Sequence, residues 1–266
     1  MLDRFNRKIT YLRISVTDRC NLRCTYCMPE EGITLINRSD ILSFVQIAEA
    51  VRTGSELGIR KIRITGGEPL VRKDLPELIT MIRRIKKIKE IGMTTNGTLL
   101  DKYAGTLKQA GLDRVNISMD TIDPEKYKKI TRMGNLESVF RGIKAALDAG
   151  LTPVKINFVR IPEVNEEDEE QVRLFCKANG LKIRAIRQMN LATGEFYPVE
   201  GGMGGVCKIC NRLRLTADGY LKPCLYSDLG VPIREMDMKK AFLTVIGQKP
   251  KEGETSTSHQ FYNIGG

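Results

Sequence analysis

Cys20, Cys24 and Cys27 stand at CxxxCxxC spacing, with Tyr26 directly before the last thiol. A loop this short can wrap one metal centre. Three thiolates occupy three irons of a four-iron cluster and leave the fourth iron without a protein ligand. An open coordination position is where a catalytic metal takes up a substrate or cofactor. The same trio also reads as a structural zinc completed by a remote ligand, or as plain buried thiols. A disulfide framework does not suit a chain that carries no other sign of secretion.

A second trio lies downstream. Cys207 and Cys210 form a CxxC pair and Cys224 follows after a further stretch. Zinc would need a fourth ligand, and the candidates are His259, the single histidine, and Cys176. Cys176 lies beside Leu174 and Phe175 on an apolar helix face and reads as a core thiol. His259 lies in a polar tail and reads as exposed. A second iron–sulfur cluster with another open iron fits better than zinc. Between these cysteines, Arg212 and Arg214 share one strand parity and put two cations beside the centre.

The elements that position these residues can be read from periodicity. Leu12, Ile14 and Val16 alternate with Arg13, Ser15 and Thr17, a strand leading into the first cysteine loop. Ser43 and Gln46 form a capping box ahead of a helix that Gly58 ends. Strands are expected at 61–65, 90–94, 114–118, 154–159 and 182–186. Helices are expected at 75–85, 99–110, 124–130, 136–149 and 166–178. This alternation implies βα units, a parallel sheet and, with right-handed crossovers, a partial barrel. The chain before residue 190 is too short for eight units. After Met189 the rhythm breaks, and 194–205 is glycine-rich and reads as loop. The expected fold class is α/β: a partial (βα)6 TIM-like barrel over 1–190, and a C-terminal extension over 191–266 that carries the second cluster.

The strands carry charge on one parity. Ile62, Ile64, Val115, Ile117, Val154 and Ile156 face one way; Lys61, Arg63, Asn116, Ser118, Lys155 and Asn157 face the other. Helices cover the outside of a barrel, so the polar parity points inward. Ordinary barrel interiors are filled with branched apolar residues. This one reads as a chamber for a polar ligand, in which Arg13, Lys61, Arg63 and Lys155 need counter-charges. Few carboxylates share their parity, so an anionic substrate is expected. Gly66-Gly67-Glu68-Pro69 reads as a ligand-gripping turn whose glycines allow close approach and whose Glu68 offers a carboxylate to an ammonium group. The strand ends at 94–97 and 118–120 carry hydrogen-bonding side chains, where barrels place their sites.

Composition narrows the class. The 266 residues suffice for one sizeable core or a core with a small appendage. Lys and Arg number 43 against 32 Asp and Glu, a formal charge of +11 that suits an anionic partner. The basic run at 83–87 reads as a solvated helix end. With no Trp and no interleaved aromatic platform, nucleic-acid binding is not expected. No apolar run would span a bilayer, so no membrane role is expected. Seven cysteines without a secretion signal argue for metal ligation in a reducing, cytoplasmic setting. A zinc-stapled nucleic-acid-binding protein is the non-enzyme alternative.

The CxxxCxxC loop with Tyr26 resembles the radical S-adenosylmethionine (radical SAM) superfamily. With 61–75, 93–97, 115–131, 155–159, the Cys207–Cys224 stretch and the terminal Gly265-Gly266, the chain resembles the MoaA family of GTP 3′,8-cyclases, which act early in molybdenum cofactor biosynthesis. The resemblance covers most of the chain, and Asn211-Arg212-Leu213-Arg214 between the later cysteines is its most specific element. A radical SAM peptide-modifying enzyme with an auxiliary cluster is the rival within the superfamily.

The resemblance implies two [4Fe-4S] clusters and S-adenosylmethionine. Cys20, Cys24 and Cys27 would hold the cluster that cleaves S-adenosylmethionine; Cys207, Cys210 and Cys224 would hold one that meets the guanine base. Tyr26, Gly66, Gly67, Glu68, Ser118, Asn157 and Met189 would bind S-adenosylmethionine. Arg13, Lys61, Arg63, Thr94, Lys155, Arg184, Arg212 and Arg214 would bind GTP, and Gly265 and Gly266 would reach into the active site with Arg212 and Arg214. The implied reaction is abstraction of the C3′ hydrogen of GTP by a 5′-deoxyadenosyl radical and attack of C3′ on C8 of guanine. The implied partners are an external one-electron reductant and, downstream, cyclic pyranopterin monophosphate synthase, with a homodimer as one permitted assembly. Two departures stand out. The connector 190–206 is shorter than in the family, and Arg187 and Asn190 replace acidic and proline positions after the sixth strand.

Overall fold

The computed structural model describes residues 1–257 and 261–264. Six parallel strands run in chain order: β1 (Tyr11–Ser15), β2 (Lys61–Thr65), β3 (Glu90–Thr95), β4 (Arg114–Ser118), β5 (Lys155–Arg160) and β6 (Lys182–Arg187). The helices between them are α1 (Phe44–Glu56), α2 (Leu75–Arg83), α3 (Leu100–Gln109), α4 (Pro124–Thr131), α5 (Leu136–Asp148) and α6 (Asp168–Ala178). The expected elements are all present, with ends shifted by a residue or two. Ser43 and Gln46 make the capping box that starts α1. Asp123 and Asn135 cap α4 and α5 through their side chains.

Sequential order with crossovers of one hand lays the helices on one face and curls the sheet around the other. The apolar parity behaves as its periodicity requires. Leu12, Ile14, Ile62, Ile64, Val115, Ile117 and Ile156 are buried in one core with Leu78, Ile82, Leu107, Val139 and Val172 of the helices. The polar parity therefore faces the concave side.

The region after 190 does more than loop. β7 (Arg212–Leu215) pairs parallel to β1, and β8 (Tyr220–Lys222) and β9 (Val231–Pro232) follow antiparallel. The sheet is thus continuous in the order β6-β5-β4-β3-β2-β1-β7-β8-β9. α7 (Met238–Gly247) lies against α1, β8 and β9. These later elements escaped the periodicity reading because each strand is only two to four residues long.

The connector 190–206 closes back on the sheet. Glu200 N donates to Ala185 O at 3.0 Å, and its carboxylate pairs with Arg160 and Arg173 at 2.7 and 2.9 Å. On its far side Arg212 Nη2 reaches Met203 O at 3.4 Å. The short connector so touches both β6 and β7. A last turn, α8 (Phe261–Ile264), lies against β1, with Ile264 buried among Leu191, Leu225 and Tyr226. Gly265, Gly266 and His259 lie outside the described residues.

Candidate active site

β1 delivers the chain to the cysteine loop at the C-terminal end of the strands. Thr25 N and Arg23 N donate to Ile130 O and Thr131 O at 2.9 and 3.1 Å, so the loop rests on the end of α4. Arg132 Nη1 donates to Arg23 O and Met28 O from the same side. The glycine turn after β2 closes from above. Gly67 N donates to Thr17 O at 2.7 Å and Glu68 N to Arg19 O at 2.8 Å. A Cβ at Gly67 would stand 2.4 Å from Arg19 O, so only glycine permits this approach.

Cys20, Cys24 and Cys27 line one cavity of about 220 Å³. Of the expected cofactor contacts, Tyr26, Gly66, Gly67, Ser118, Asn157 and Met189 border it, together with Thr94, Asn96, Arg187 and Phe261. Glu68 does not. It is 1% exposed, and its carboxylate accepts from Leu70 N, Thr95 Oγ1 and Asn96 N at 3.0, 2.7 and 2.7 Å. These bonds let Glu68 clamp the turn to the end of β3. Burial lifts its pKa to about 7 despite those donors.

The donor chemistry suits an iron–sulfur centre. Burial raises all three thiols, and proximity adds to it. Cys27 is pushed up to about 12 by burial and by Cys20, and Cys24 well above its usual value by burial, Asp120 and the other two thiols. Half-buried thiols held back from ionisation in this way become thiolates when a metal centre supplies the opposing charge. Among the described residues, no three Cys, His, Asp or Glu side chains gather tightly enough to hold a single ion. A cubane asks for less convergence, since each thiolate meets a different iron.

The second trio has a different electrostatic setting. Cys207 opens a single 3₁₀ turn (Cys207–Ile209), and Cys210 N donates back to Cys207 O at 3.1 Å. The β7–β8 hairpin returns Cys224 close enough to act on the Cys207 thiol. Buried Lys249 donates to Arg212 O and Pro223 O at 2.8 and 2.6 Å, so one ammonium ties the two cysteine-bearing segments together. Arg7 Nη1 holds Cys207 O at 2.9 Å. Burial opposes ionisation of Cys210, but Lys249 and Arg212 outweigh it and bring the thiol to about 7. Lys249 and Arg7 carried no signal in the sequence, being single cations far from any cysteine.

Between the trios runs the row of cations. Register sets Arg13 beside Arg63 on one side and Arg214 on the other, Tyr11 beside Lys61 and Arg212, and Asn157 beside Arg184. Arg63 is 2% exposed. It donates to Tyr11 Oη, Met93 O and Asn116 Oδ1 at 3.1, 3.0 and 2.9 Å. Gly92 leaves room for its guanidinium, since a Cβ there would stand 2.9 Å from Arg63 Cζ. Burial and mutual repulsion lower Arg13 to about 10, Arg214 to about 9 and Lys155 to about 8. Arg184 is lowered for the same reasons, and its buried Nε has no hydrogen-bond partner. Such a chamber favours an anion.

One carboxylate does share the inward parity. Glu90, the first residue of β3, shares the inward parity and pairs with Lys61 at 2.9 Å and with Arg114 at 2.6 Å. Lys61 is therefore already served by a carboxylate. Tyr11, Arg114 and Glu90 were not singled out in the sequence, although each lies on the inward parity of its strand.

The chain was compared with known proteins. Residues 14–176 match the profile of the Radical SAM superfamily. A GTP 3′,8-cyclase of Petrotoga mobilis is 43% identical over 284 residues, covering 90% of this chain and 88% of that one. One of Thermodesulfovibrio yellowstonii is 44% identical, covering 90% and 87%. One of Alkaliphilus oremlandii is 39% identical over an alignment of 314 residues that spans all of this chain and 98% of the relative. Since this chain has 266 residues, that relative carries positions with no counterpart here. Among solved structures, Streptococcus suis SuiB bound to S-adenosylmethionine has a TM-score of 0.66 at 15% identity, covering 89% of this chain and 64% of that one. Native anSMEcpe with bound AdoMet has a TM-score of 0.65 at 18% identity, covering 88% and 80%. These two share the fold.

Proposed function

The chain belongs to the GTP 3′,8-cyclase family of the radical SAM superfamily, and from that membership we propose how its own residues serve the reaction. It is a radical SAM enzyme of molybdenum cofactor synthesis that uses a [4Fe-4S] cluster and S-adenosylmethionine and acts on GTP. In our reading Cys20, Cys24 and Cys27 hold that cluster. When bound, the cluster and S-adenosylmethionine would supply the means of abstracting the C3′ hydrogen of GTP; joining C3′ to C8 of guanine would further need one electron and one proton, the electron from the external donor.

The rest falls to positioning and charge. Gly66, Gly67, Tyr26, Ser118, Asn157 and Met189 border S-adenosylmethionine in the cavity they line. Arg13, Lys61, Arg63, Lys155, Arg184, Arg212 and Arg214 bind the triphosphate and ribose, with guanidinium forks matching phosphate oxygens in pairs. Thr94 borders the S-adenosylmethionine cavity and stands where the two ligands meet. In this reading 1–190 is the barrel that runs the radical chemistry, and 191–266 brings a second [4Fe-4S] cluster on Cys207, Cys210 and Cys224 to the guanine base. An external one-electron donor, a cytoplasmic setting, a homodimer and hand-over to cyclic pyranopterin monophosphate synthase complete the proposal. No helix among the described residues is long and apolar enough to cross a membrane.

The observation that carries the reading is a row of cations from β1, β2, β5, β6 and β7 converging between two cysteine trios. Arg63→Ala and Arg212→Ala test it. Each should weaken GTP binding by about 2–5 kcal/mol and abolish cyclisation, while uncoupled 5′-deoxyadenosine formation persists. Unchanged GTP affinity in both variants would remove the nucleotide from this chamber.

A further inference from the structure

Tyr11 opens β1 and is placed by register between Lys61 of β2 and Arg212 of β7. Its hydroxyl accepts from Arg63 Nε at 3.1 Å and is hydrogen-bonded to Arg13, and Lys61 Nζ stands 5.3 Å from the ring centre. The charged groups around it come from every neighbouring wall: Arg13 on its own strand, Lys61 and Arg63 on β2, Arg184 on β6 and Arg212 on β7. The carboxylate of Glu90 on β3 is already shared by Lys61 and Arg114. The other partners of Arg63, Met93 O and Asn116 Oδ1, are neutral. A buried group of cations is costly without negative charge among them. The phenol is the acid that Arg63 and Arg13 both touch.

We propose that Tyr11 is a positioning residue of the nucleotide chamber: it is the built-in counter-charge that holds Arg63 and Arg13 until the triphosphate arrives, and it takes up a proton as phosphate binds. The inference rests on GTP as the ligand of this chamber. An ordinary tyrosine ionises near pH 10. Here burial opposes ionisation, but Arg63, Arg13 and Lys61 outweigh it and bring the phenol down to about 7. An arriving polyanion takes over those cations and repels a phenolate, so the phenol returns to its neutral form. The proton comes from solvent, and no bond other than O–H changes.

Binding linked to proton uptake weakens as pH rises above the free-state pKa, here by about tenfold per unit above pH 7. The test is anaerobic calorimetry of GTP binding to the reconstituted protein, without reductant, in buffers of different ionisation enthalpy at pH 8. Wild type should take up close to one proton more than Tyr11→Phe. The variant should lack the corresponding pH limb, keep the wild-type cluster spectrum, and melt below wild type by more at pH 8 than at pH 6. Equal proton uptake in the two proteins overturns the role of Tyr11 and leaves GTP as substrate. GTP that binds neither protein overturns the substrate reading and this inference with it. A variant that loses affinity equally at every pH assigns Tyr11 a packing role and overturns the counter-charge.

Discussion

The hydroxyl of Tyr26 donates to Oδ2 of Asp120 across 2.8 Å, tying the aromatic residue of the first cysteine loop to the end of β4. The other oxygen of Asp120 accepts from Val159 N at 2.8 Å, and Asn165 Nδ2 holds Asp120 O at 2.8 Å. Burial raises the Asp120 carboxyl to about 6 against the pull of those donors. One carboxylate thus fixes the cysteine loop to both β4 and β5. Tyr26→Phe leaves Oδ2 buried with its donor removed, a loss of about 1–3 kcal/mol. A lowered melting temperature and slower 5′-deoxyadenosine formation should follow, with GTP affinity unchanged by calorimetry.

Glu90 offers a prediction in which stability and binding move in opposite directions. It holds Lys61 and Arg114, and those cations lower its pKa against burial. Its stabilising charge is therefore present above the unfolded pKa and is lost as pH falls through the lowered folded value. Because Glu90 is about one-third exposed, Glu90→Gln should cost only about 1 kcal/mol in chemical denaturation. It also frees Lys61, so GTP should bind more tightly than to wild type. A variant that binds GTP more weakly would mean that Glu90 orders the chamber rather than competing with phosphate.

Lys155 should give the chamber an alkaline limb of its own. Burial first, then Arg184, Arg114, Lys182 and Arg63, lower its ammonium to about 8. Phosphate favours the charged form, so the contribution of Lys155 is complete below that pH and fades above it. Lys155→Arg keeps the charge at all accessible pH values. Between pH 8 and 9 its GTP affinity should fall about fivefold less than that of wild type. Parallel pH profiles for the two proteins would count against a Lys155–phosphate contact.

The cysteine trios predict composition. Anaerobic reconstitution should give about eight irons and eight sulfides per chain, and about four of each after replacement of Cys207, Cys210 and Cys224 by Ala. That triple variant should keep the reducible centre of Cys20, Cys24 and Cys27 in its electron paramagnetic resonance spectrum. Bound zinc with no labile sulfide would contradict both assignments.

Much of this architecture is legible in the sequence because period and parity are strong local signals. Ile62 and Ile64 against Lys61 and Arg63 specify which face of β2 meets helices. Ser43 with Gln46 marks a helix start by side chains that serve backbone donors. The cysteine spacing singles out two trios, the first of which lines a cavity. What stays hidden depends on long-range pairing. β7 joins β1 across nearly two hundred residues, and nothing local in Arg212–Leu215 says so. Lys249 reaches Arg212 O and Pro223 O from the end of α7. The burial of Glu68 is hidden too, because a carboxylate after two glycines looks exposed, whereas Leu70, Thr95 and Asn96 draw it inward. Glu90 and Tyr11 sat at strand ends, on the inward parity but outside the obvious run of cations.

The central claim is that the first cysteine trio and the cation chamber act on one nucleotide. GTP carrying deuterium at C3′, incubated anaerobically with the reconstituted protein, S-adenosylmethionine and a one-electron reductant, tests it most directly. Mass spectrometry should find one deuterium in 5′-deoxyadenosine and a cyclised nucleotide in matching amount. 5′-Deoxyadenosine that forms without deuterium while GTP is recovered unchanged would contradict the account.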